Sequence, residues 1–237
     1  MNLLFLEAND LHTPNRATVS GRQLKHIREV LKLACGDKLT VGLENKSIGR
    51  ATVIKLDEEE ACLDISWEKE APAALPLTLI IALPRPKMLK RIIQTATAMG
   101  VKQLYFINSW KVEKSFWQSP WLSDEKIREN CIIGLEQAKD TLMPTVHIRK
   151  RFKPFVEDEL PALSKNTRKL LAHPGTDTPC PINITGNTSL IIGPEGGFTP
   201  YEVEKLRDAE FEAVHLGGRI LRVETAVPAL LARLFCA

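Results

Sequence analysis

The chain has 237 residues, of which 44% are apolar and 26% are charged. This is the composition of a folded globule of one large or two small domains, and it argues against a disordered chain. The formal net charge of +3 is too small to indicate a nucleic-acid partner, so the distribution of the charges has to decide that question.

The cysteines and the amino-terminal residues indicate the cellular compartment of the protein. The five cysteines form no Cys-x-x-Cys pair and are Cys35, Cys62, Cys131, Cys180 and Cys236. Their odd number argues against a disulfide framework and a structural zinc site, so we expect reduced, buried thiols and no metal. The first ten residues lack a secretory signal, and no run approaches the roughly 18 apolar residues of a membrane span. We therefore expect a cytoplasmic protein without a membrane partner.

Residues 1–70 predict a small β-barrel domain. The β-type segments, separated by turn clusters, are Asn2–Leu6, Lys38–Leu43, Ile48–Leu56 and Ala61–Trp67. One predicted helix, from about Gln23 to Leu33, interrupts them, with Ser20 as a possible cap.

Basic residues are concentrated on and before this helix, against only Glu29. They are Arg16, Arg22, Lys25, His26, Arg28 and Lys32. These side chains are either ordinary solvated charges or an RNA-binding surface, because cations that neutralise phosphates supply much of the affinity for nucleic acids. Arg85 and Lys87, with Lys90 and Arg91, and the basic residues at 149–151 and 153, are further candidates with the same two interpretations.

Residues 71–76 are small and proline-rich and predict a linker, after which the hydrophobic period changes. Residues 77–237 alternate strands and helices, which predicts an α/β fold with a parallel sheet covered by helices on both faces. The predicted strands are Leu77–Leu83, Gln103–Asn108, Thr145–Ile148, Arg168–Ala172, Ser189–Ile192 and Ala213–Leu216. The clearest predicted helices are Lys87–Met99, Asp124–Ala138, Tyr201–Ala209 and Glu224–Phe235.

Two glycine-bearing loops follow strands near the end of the chain. Residues 190–199 read Leu-Ile-Ile-Gly-Pro-Glu-Gly-Gly-Phe-Thr and lead into a helix that Thr199 and Glu202 predict to begin with a capping box. The spacing is neither Gly-x-Gly-x-x-Gly nor a phosphate-binding loop, so a nucleotide-phosphate site is disfavoured. Alone, this loop is either a ligand site or a tight structural turn. A second loop, residues 217–226, has the same form, and two such loops from one sheet can enclose one ligand.

Together, Ile-Gly-Pro-Glu-Gly-Gly-Phe at 192–198 and Leu-Gly-Gly-Arg-Ile-Leu-Arg-Val-Glu-Thr-Ala at 216–226 resemble the ribosomal RNA uridine-N3 methyltransferase family of the SPOUT superfamily. Residues 24–37 are similar to that family's N-terminal PUA-like barrel. The resemblance implies an S-adenosylmethionine-dependent enzyme that methylates N3 of a uridine in small-subunit (16S) ribosomal RNA. It also implies a C-terminal domain closed by a deep trefoil knot, and a homodimer through the knotted domain.

The resemblance also implies the site. The expected cofactor-binding residues are Leu171, Ala172, His173, Gly193, Pro194, Glu195, Gly197, Leu216, Gly217, Gly218, Ile220, Leu221 and Arg222. For catalysis, we expect Arg222 to stabilise charge on the uracil carbonyls and Glu195 or Glu224 to accept the N3 proton. Either carboxylate could instead cap a helix or pair with an arginine. His173 and His215 are weaker candidates for the base.

Substrate-side positions depart from the family pattern at Thr95, at Ala98-Met99-Gly100-Val101 and at Asp140. These departures leave two alternatives open: an RNA-binding assembly factor that has lost catalysis, and a methyltransferase acting on another RNA such as transfer RNA. The substrate RNA has to present an exposed or extrudable base.

Overall fold

A computed structural model describes residues 2–235 and divides the chain into two compact units. The N-terminal unit comprises the residues up to Ala73 together with Ile132–Met143, and the C-terminal unit comprises Ala74–Cys131 and the residues from Pro144 onward. No helix of residues 2–235 is long and apolar enough to cross a membrane.

The N-terminal unit is built on one six-stranded, mostly antiparallel sheet. Its strands are β1 (Leu4–Leu6), β2 (Leu11–Thr13), β3 (Arg16–Val19), β4 (Lys38–Leu43), β5 (Ile48–Leu56) and β6 (Ala61–Lys69), in the spatial order β1-β4-β5-β6-β3-β2. Among the strands of the described residues in this sheet, only β1 and β4 pair in parallel. Alternate residues of these strands enclose the core, as the buried Val41, Val53 and Leu63 illustrate.

The sequence missed β2 and β3, because these strands are only three and four residues long, which is too short to establish a period of two. The predicted helix from Gln23 to Leu33 is wrong in its bounds. It begins earlier, as α1 (Gly21–Lys25), continues as a π-helical turn (His26–Val30) and stops before Leu31. Ser20 occupies the N-cap position, but its side chain accepts no hydrogen bond.

The segment Ile132–Met143 is joined to the N-terminal unit by main-chain and side-chain contacts. Arg22 donates two hydrogen bonds, of 2.9 and 2.8 Å, to the carboxylate of the buried Glu136. The main-chain N–H of Asn45 donates to the carbonyl of Thr141, and the side-chain oxygen of Asn45 accepts from the main-chain N–H of Met143. Asp140, a departure from the family pattern, is buried, and its carboxylate accepts from the Leu142 amide at 2.9 Å.

The C-terminal unit is an α/β fold on a wholly parallel six-stranded sheet, as predicted. Its strands are β7 (Leu77–Ala82), β8 (Gln103–Ile107), β9 (Thr145–Arg149), β10 (Arg168–Ala172), β11 (Thr188–Ile192) and β12 (Glu212–Val214), in the spatial order β12-β10-β11-β7-β8-β9. β11 is buried along its whole length, which is consistent with its apolar residues Leu190, Ile191 and Ile192.

The principal helices are α2 (Pro86–Ala98), α3 (Asp124–Ala138), α6 (Pro200–Asp208) and α7 (Val223–Phe235), each within two residues of its prediction. A helical stretch that the sequence did not predict consists of α4 (Phe152–Pro154), a π-helical turn (Phe155–Glu159) and α5 (Leu160–Leu163). Short 3-10 turns at Lys114–Gln118 and Pro120–Leu122 were also missed. The predicted strand Ala213–Leu216 ends at Val214, and His215 makes only an isolated bridge to Pro179.

The thiol predictions hold in part. Cys131 and Cys180 are buried and free, and burial raises the pKa of both thiols. Cys62 is partly buried, and Cys35 is exposed, so the expectation of burial was wrong for Cys35. Cys35 lies just before the turn at Gly36, where the chain runs at the surface. Cys236 lies outside the described residues.

Candidate functional site

A pocket opens where three neighbouring strands of the parallel sheet end. Because β12, β10 and β11 are adjacent and parallel, their carboxyl ends meet at one edge, and the loops that follow them converge there. The pocket is lined by Ala172, His173, Pro174, Ile192, Gly193, Pro194, Glu195, Gly196, Gly197, Phe198, Val214, His215, Leu216, Gly217, Arg219, Ile220, Leu221, Val223, Ala226 and Leu230.

The loop after β11 forms the first wall, and its shape depends on glycine. Gly197 has a φ of +70°, a conformation that side chains disfavour, and its amide donates to the Pro194 carbonyl at 2.7 Å. A Cβ on Gly193 would lie 3.0 Å from the ring of Phe198. The loop ends at the predicted capping box, in which the Glu202 carboxylate accepts from the Thr199 amide at 2.8 Å.

The loop after β12 forms the second wall. Gly217 has a φ of +116°, and its amide donates to Nδ1 of His215 at 2.8 Å, so His215 holds the turn. Residues 218–221 follow this turn. Within the described residues 2–235, their main-chain N–H and C=O groups form no hydrogen bond. These main-chain groups are therefore free to recognise a ligand.

Three charged candidates stand at the edge of the pocket. The Glu195 carboxylate, exposed, accepts a hydrogen bond from the Arg85 amide at 3.3 Å. The side chains of Arg222 and Glu224 form no ion pair or hydrogen bond within the part of the chain that the structure describes. Burial, and then the charge of Arg207, lower the pKa of His173, which favours its neutral form.

The structure brings most of the predicted cofactor residues to this pocket. Those that line it are Ala172, His173, Gly193, Pro194, Glu195, Gly197, Leu216, Gly217, Ile220 and Leu221. Of the others, Leu171 is fully buried within β10, whereas Gly218 and Arg222 flank lining residues without lining the pocket. Sequence reasoning missed Phe198, Ala226 and Leu230 as lining residues, although Phe198 belongs to the first glycine motif and Leu230 has core spacing in the last helix.

The predicted RNA-binding cations fall into two groups. Arg22 pairs with Glu136, Arg16 lies 3.7 Å from Asp64, and Lys25 lies 3.8 Å from Glu29. By contrast, Arg28 and Lys32 of the N-terminal unit, and Arg85 and Lys87 of the C-terminal unit, have no ion-pair partner among the described residues. His26 is partly buried, and burial lowers its pKa.

A residue pair that the sequence did not single out adjoins the first wall. The Trp110 amide, in the segment after β8, donates to the buried Glu202 carboxylate at 2.7 Å, while the Trp110 side chain is 83% exposed. Lys111 donates from Nζ to the Gly196 carbonyl at 2.7 Å. An exposed tryptophan beside a lysine in a predicted loop is a weak signal, because only the fold places it beside the glycine loop.

The comparisons with known proteins agree with this geometry. Residues 71–235 match the family described as "RNA methyltransferase domain", which spans more than two thirds of the chain. The structure superimposes on "Ribosomal RNA small subunit methyltransferase E" of Neisseria gonorrhoeae, solved bound to S-adenosyl methionine, with a TM-score of 0.76 and 22% identity. The superposition covers 98% of this chain and 95% of that one. The fold and the sequence match define the chain as an RNA methyltransferase.

Curated relatives specify the family further. "Ribosomal RNA small subunit methyltransferase E" of Treponema pallidum is 30% identical and covers 98% of this chain and 90% of its own length. "Ribosomal RNA small subunit methyltransferase E 1" of Borreliella burgdorferi is 27% identical, over 95% and 94%. The chain therefore belongs to the ribosomal RNA small subunit methyltransferase E family, and the resemblance carried by the two glycine motifs is confirmed.

Proposed function

We propose that this protein transfers the methyl group of S-adenosylmethionine to N3 of a uridine in 16S ribosomal RNA. The observation that carries the proposal is the pocket at the ends of β10, β11 and β12, which both glycine motifs line. Membership of a ribosomal RNA methyltransferase family supports the reaction class and the substrate. A ribosomal RNA substrate is consistent with a cytoplasmic location of the protein.

The residues of the pocket suit S-adenosylmethionine. Ile220, Leu221 and Leu230 provide apolar surface for the adenosyl group, and the free main-chain groups of residues 218–221 can read the polar edge of adenine. Within the described residues, no cluster of His, Cys, Asp or Glu could hold a metal ion. Of the predicted cofactor set, Leu171 and Gly218 would act by shaping the pocket from positions adjacent to its lining, whereas Arg222 would act on the substrate.

When bound, S-adenosylmethionine supplies an electrophilic methyl group on a sulfonium. The uracil N3 has to lose its proton as the new N–C bond forms, and the negative charge that develops on the carbonyl oxygens has to be stabilised. Arg222 is the group we propose for that stabilisation, since no carboxylate among the described residues pairs with its guanidinium. Glu195 and Glu224 are the proposed proton acceptors, and Glu224 has no competing ion pair in the described chain.

The resemblance extends the proposal to the assembly. We propose that the C-terminal unit closes in a deep trefoil knot and pairs with a second copy to form a homodimer. The insertion of β11 between β10 and β7 is consistent with such a fold. We propose residues 1–70 as a PUA-like RNA-binding domain, 71–76 as the linker and 77–237 as the methyltransferase domain. Arg28, Lys32 and Lys87 are the contacts with RNA that the ion-pair pattern favours.

Two measurements test the function. Isothermal titration calorimetry with S-adenosylmethionine should show one site per chain. Incubation with radiolabelled donor and unmodified 16S ribosomal RNA, followed by nuclease digestion and mass spectrometry, should yield N3-methyluridine. Donor binding with no methyl transfer to any RNA would favour an assembly factor, and a 2′-O-methyl product would overturn the assignment to N3.

A further inference from the structure

Trp110 combines a fixed main chain with an unusually free side chain. Its amide is held at 2.7 Å by Glu202, whose carboxylate also accepts from the amide and hydroxyl of Thr199 at 2.8 and 2.9 Å. Its indole is nevertheless 83% exposed. The main chain of Trp110 is held in place while the indole ring faces solvent. The ring therefore has no packing role in the described chain.

The adjoining Lys111 ties this segment to the donor pocket. Its Nζ donates to the carbonyl of Gly196, a residue that lines the pocket, at 2.7 Å. A Cβ on Gly196 would lie 2.9 Å from Cδ of Lys111, so the lysine stem lies directly against the glycine loop. The segment after β8 is therefore attached to the first wall at two points, Glu202 and Gly196.

The ammonium of Lys111, next to Trp110 in the chain, favours a polyanion over an apolar partner. Among residues 2–235, no carboxylate pairs with the Lys111 ammonium. Arg85 joins the same wall, since its amide donates to Glu195, and Lys87 follows it in the first turn of α2. An exposed aromatic ring beside a cation is the usual composition of a surface that stacks an unpaired base and contacts its phosphates.

We propose that Trp110 stacks on a base of the substrate RNA next to the methyl-donor pocket and that Lys111 contacts the adjoining phosphate. This inference deepens the proposed function and rests on it for the identity of the RNA. A base held outside its helix loses stacking energy, and an indole can replace the lost neighbour. The pair thereby stabilises the extruded state of the RNA beside the donor.

The test measures the binding of 16S ribosomal RNA transcript in the absence of donor, together with KM and kcat. Trp110→Ala should weaken RNA binding about tenfold or more and raise KM, whereas Trp110→Phe should retain most of the affinity because it keeps a ring. Lys111→Ala should reduce the slope of log affinity against log salt by about one. Tyr201→Ala, which removes another exposed aromatic ring of the same unit, is the matched control and should leave RNA binding unchanged.

Tryptophan fluorescence supplies a second measurement that does not require turnover. RNA should quench the emission of the wild-type protein more than that of Trp110→Phe. Wild-type RNA affinity and KM in Trp110→Ala would overturn the inference, as would a parallel loss of affinity for S-adenosylmethionine, which would indicate a structural role. Because RNA binding is measured without donor, a protein that fails to bind S-adenosylmethionine would sink the proposed function alone.

Discussion

Glu202 and Trp110, separated by 92 positions in the sequence, are joined by a hydrogen bond of 2.7 Å from the Trp110 amide to the buried carboxylate. The other oxygen of the same carboxylate completes the capping box with Thr199. One side chain thus fixes the start of α6, the end of the first glycine loop and the segment after β8.

Replacing Glu202 tests how strongly this carboxylate holds the loops together. An amide presents one acceptor oxygen where the carboxylate presents two, so Glu202→Gln leaves a donor of Thr199 or Trp110 unsatisfied. We expect a loss of about 1–3 kcal/mol in the free energy of unfolding, measured by urea titration. Glu204→Gln, on the exposed face of the same helix, is the control and should change stability by less than about 0.5 kcal/mol. Equal effects in the two variants would contradict the role of Glu202.

The glycine at 197 is expected to be required for its backbone conformation rather than for space. Gly197 has a φ of +70° and nothing within 4 Å of the position that a Cβ would occupy, whereas Gly218 has the same open space without a positive φ. Gly197→Ala should therefore cost roughly 1–2 kcal/mol of stability and weaken S-adenosylmethionine binding. Gly218→Ala should leave the free energy of unfolding nearly unchanged. Calorimetry and urea unfolding of both variants measure the difference. If Gly197→Ala is as stable as Gly218→Ala and binds S-adenosylmethionine as well, the prediction is wrong.

Arg222 is expected to act on the reaction rather than on donor affinity. It does not line the pocket, and its guanidinium has no partner within residues 2–235. Arg222→Ala should lower kcat on the order of 100-fold while leaving the Kd for S-adenosylmethionine unchanged, because one charge-stabilising donor is lost. Arg222→Lys should recover part of kcat. Single-turnover rates and calorimetry separate the two quantities, and an unchanged kcat in the alanine variant would remove Arg222 from the reaction.

His173 is expected to make stability depend on pH. Burial and Arg207 lower its pKa in the folded state below the usual 6.5, so the unfolded chain binds a proton more readily. The stabilisation is complete above pH 6.5 and is lost as the pH falls through 6.5 towards the folded-state pKa. His173→Asn, which cannot titrate, should therefore lose less stability than wild type between pH 7.5 and 5.5. Urea unfolding at both pH values measures this difference, and identical losses would contradict it.

Replacing Arg22 and Arg28 one at a time should distinguish a role in stability from a role in RNA binding in the N-terminal unit. The Arg22 side chain is 52% exposed and pairs with a Glu136 carboxylate that is only 3% exposed. Arg22→Ala leaves that carboxylate unpaired, and since water can reach the vacated side we expect a loss of about 2 kcal/mol in stability. Arg28→Ala should preserve stability and weaken RNA binding, since Arg28 is exposed and has no ion-pair partner in the described chain. Urea unfolding and filter binding of both variants check the separation. A stable Arg22→Ala that binds RNA poorly would reverse the assignment.

The sequence by itself determined the strands and the principal helices of the C-terminal unit, and the family to which the chain belongs. Apolar runs such as Leu190–Ile192 in β11 and capped amphipathic stretches such as α6 are local signals, because burial on both faces and the missing hydrogen bonds of a helix end constrain neighbouring residues directly. The two glycine motifs carried the resemblance to the family, which the sequence comparisons confirm.

Only the tertiary structure decided which distant residues serve that pocket. The sheet order β12-β10-β11 brings three loops to one edge, and no local pattern encodes the order of parallel strands. In the same way, only the fold pairs Arg22 with Glu136, which lies 114 positions away in the sequence. The bond from Trp110 to Glu202 likewise set an otherwise anonymous tryptophan beside the glycine loop. Such contacts depend on chain segments separated by about a hundred residues, and only the packing of the whole unit fixes their distances.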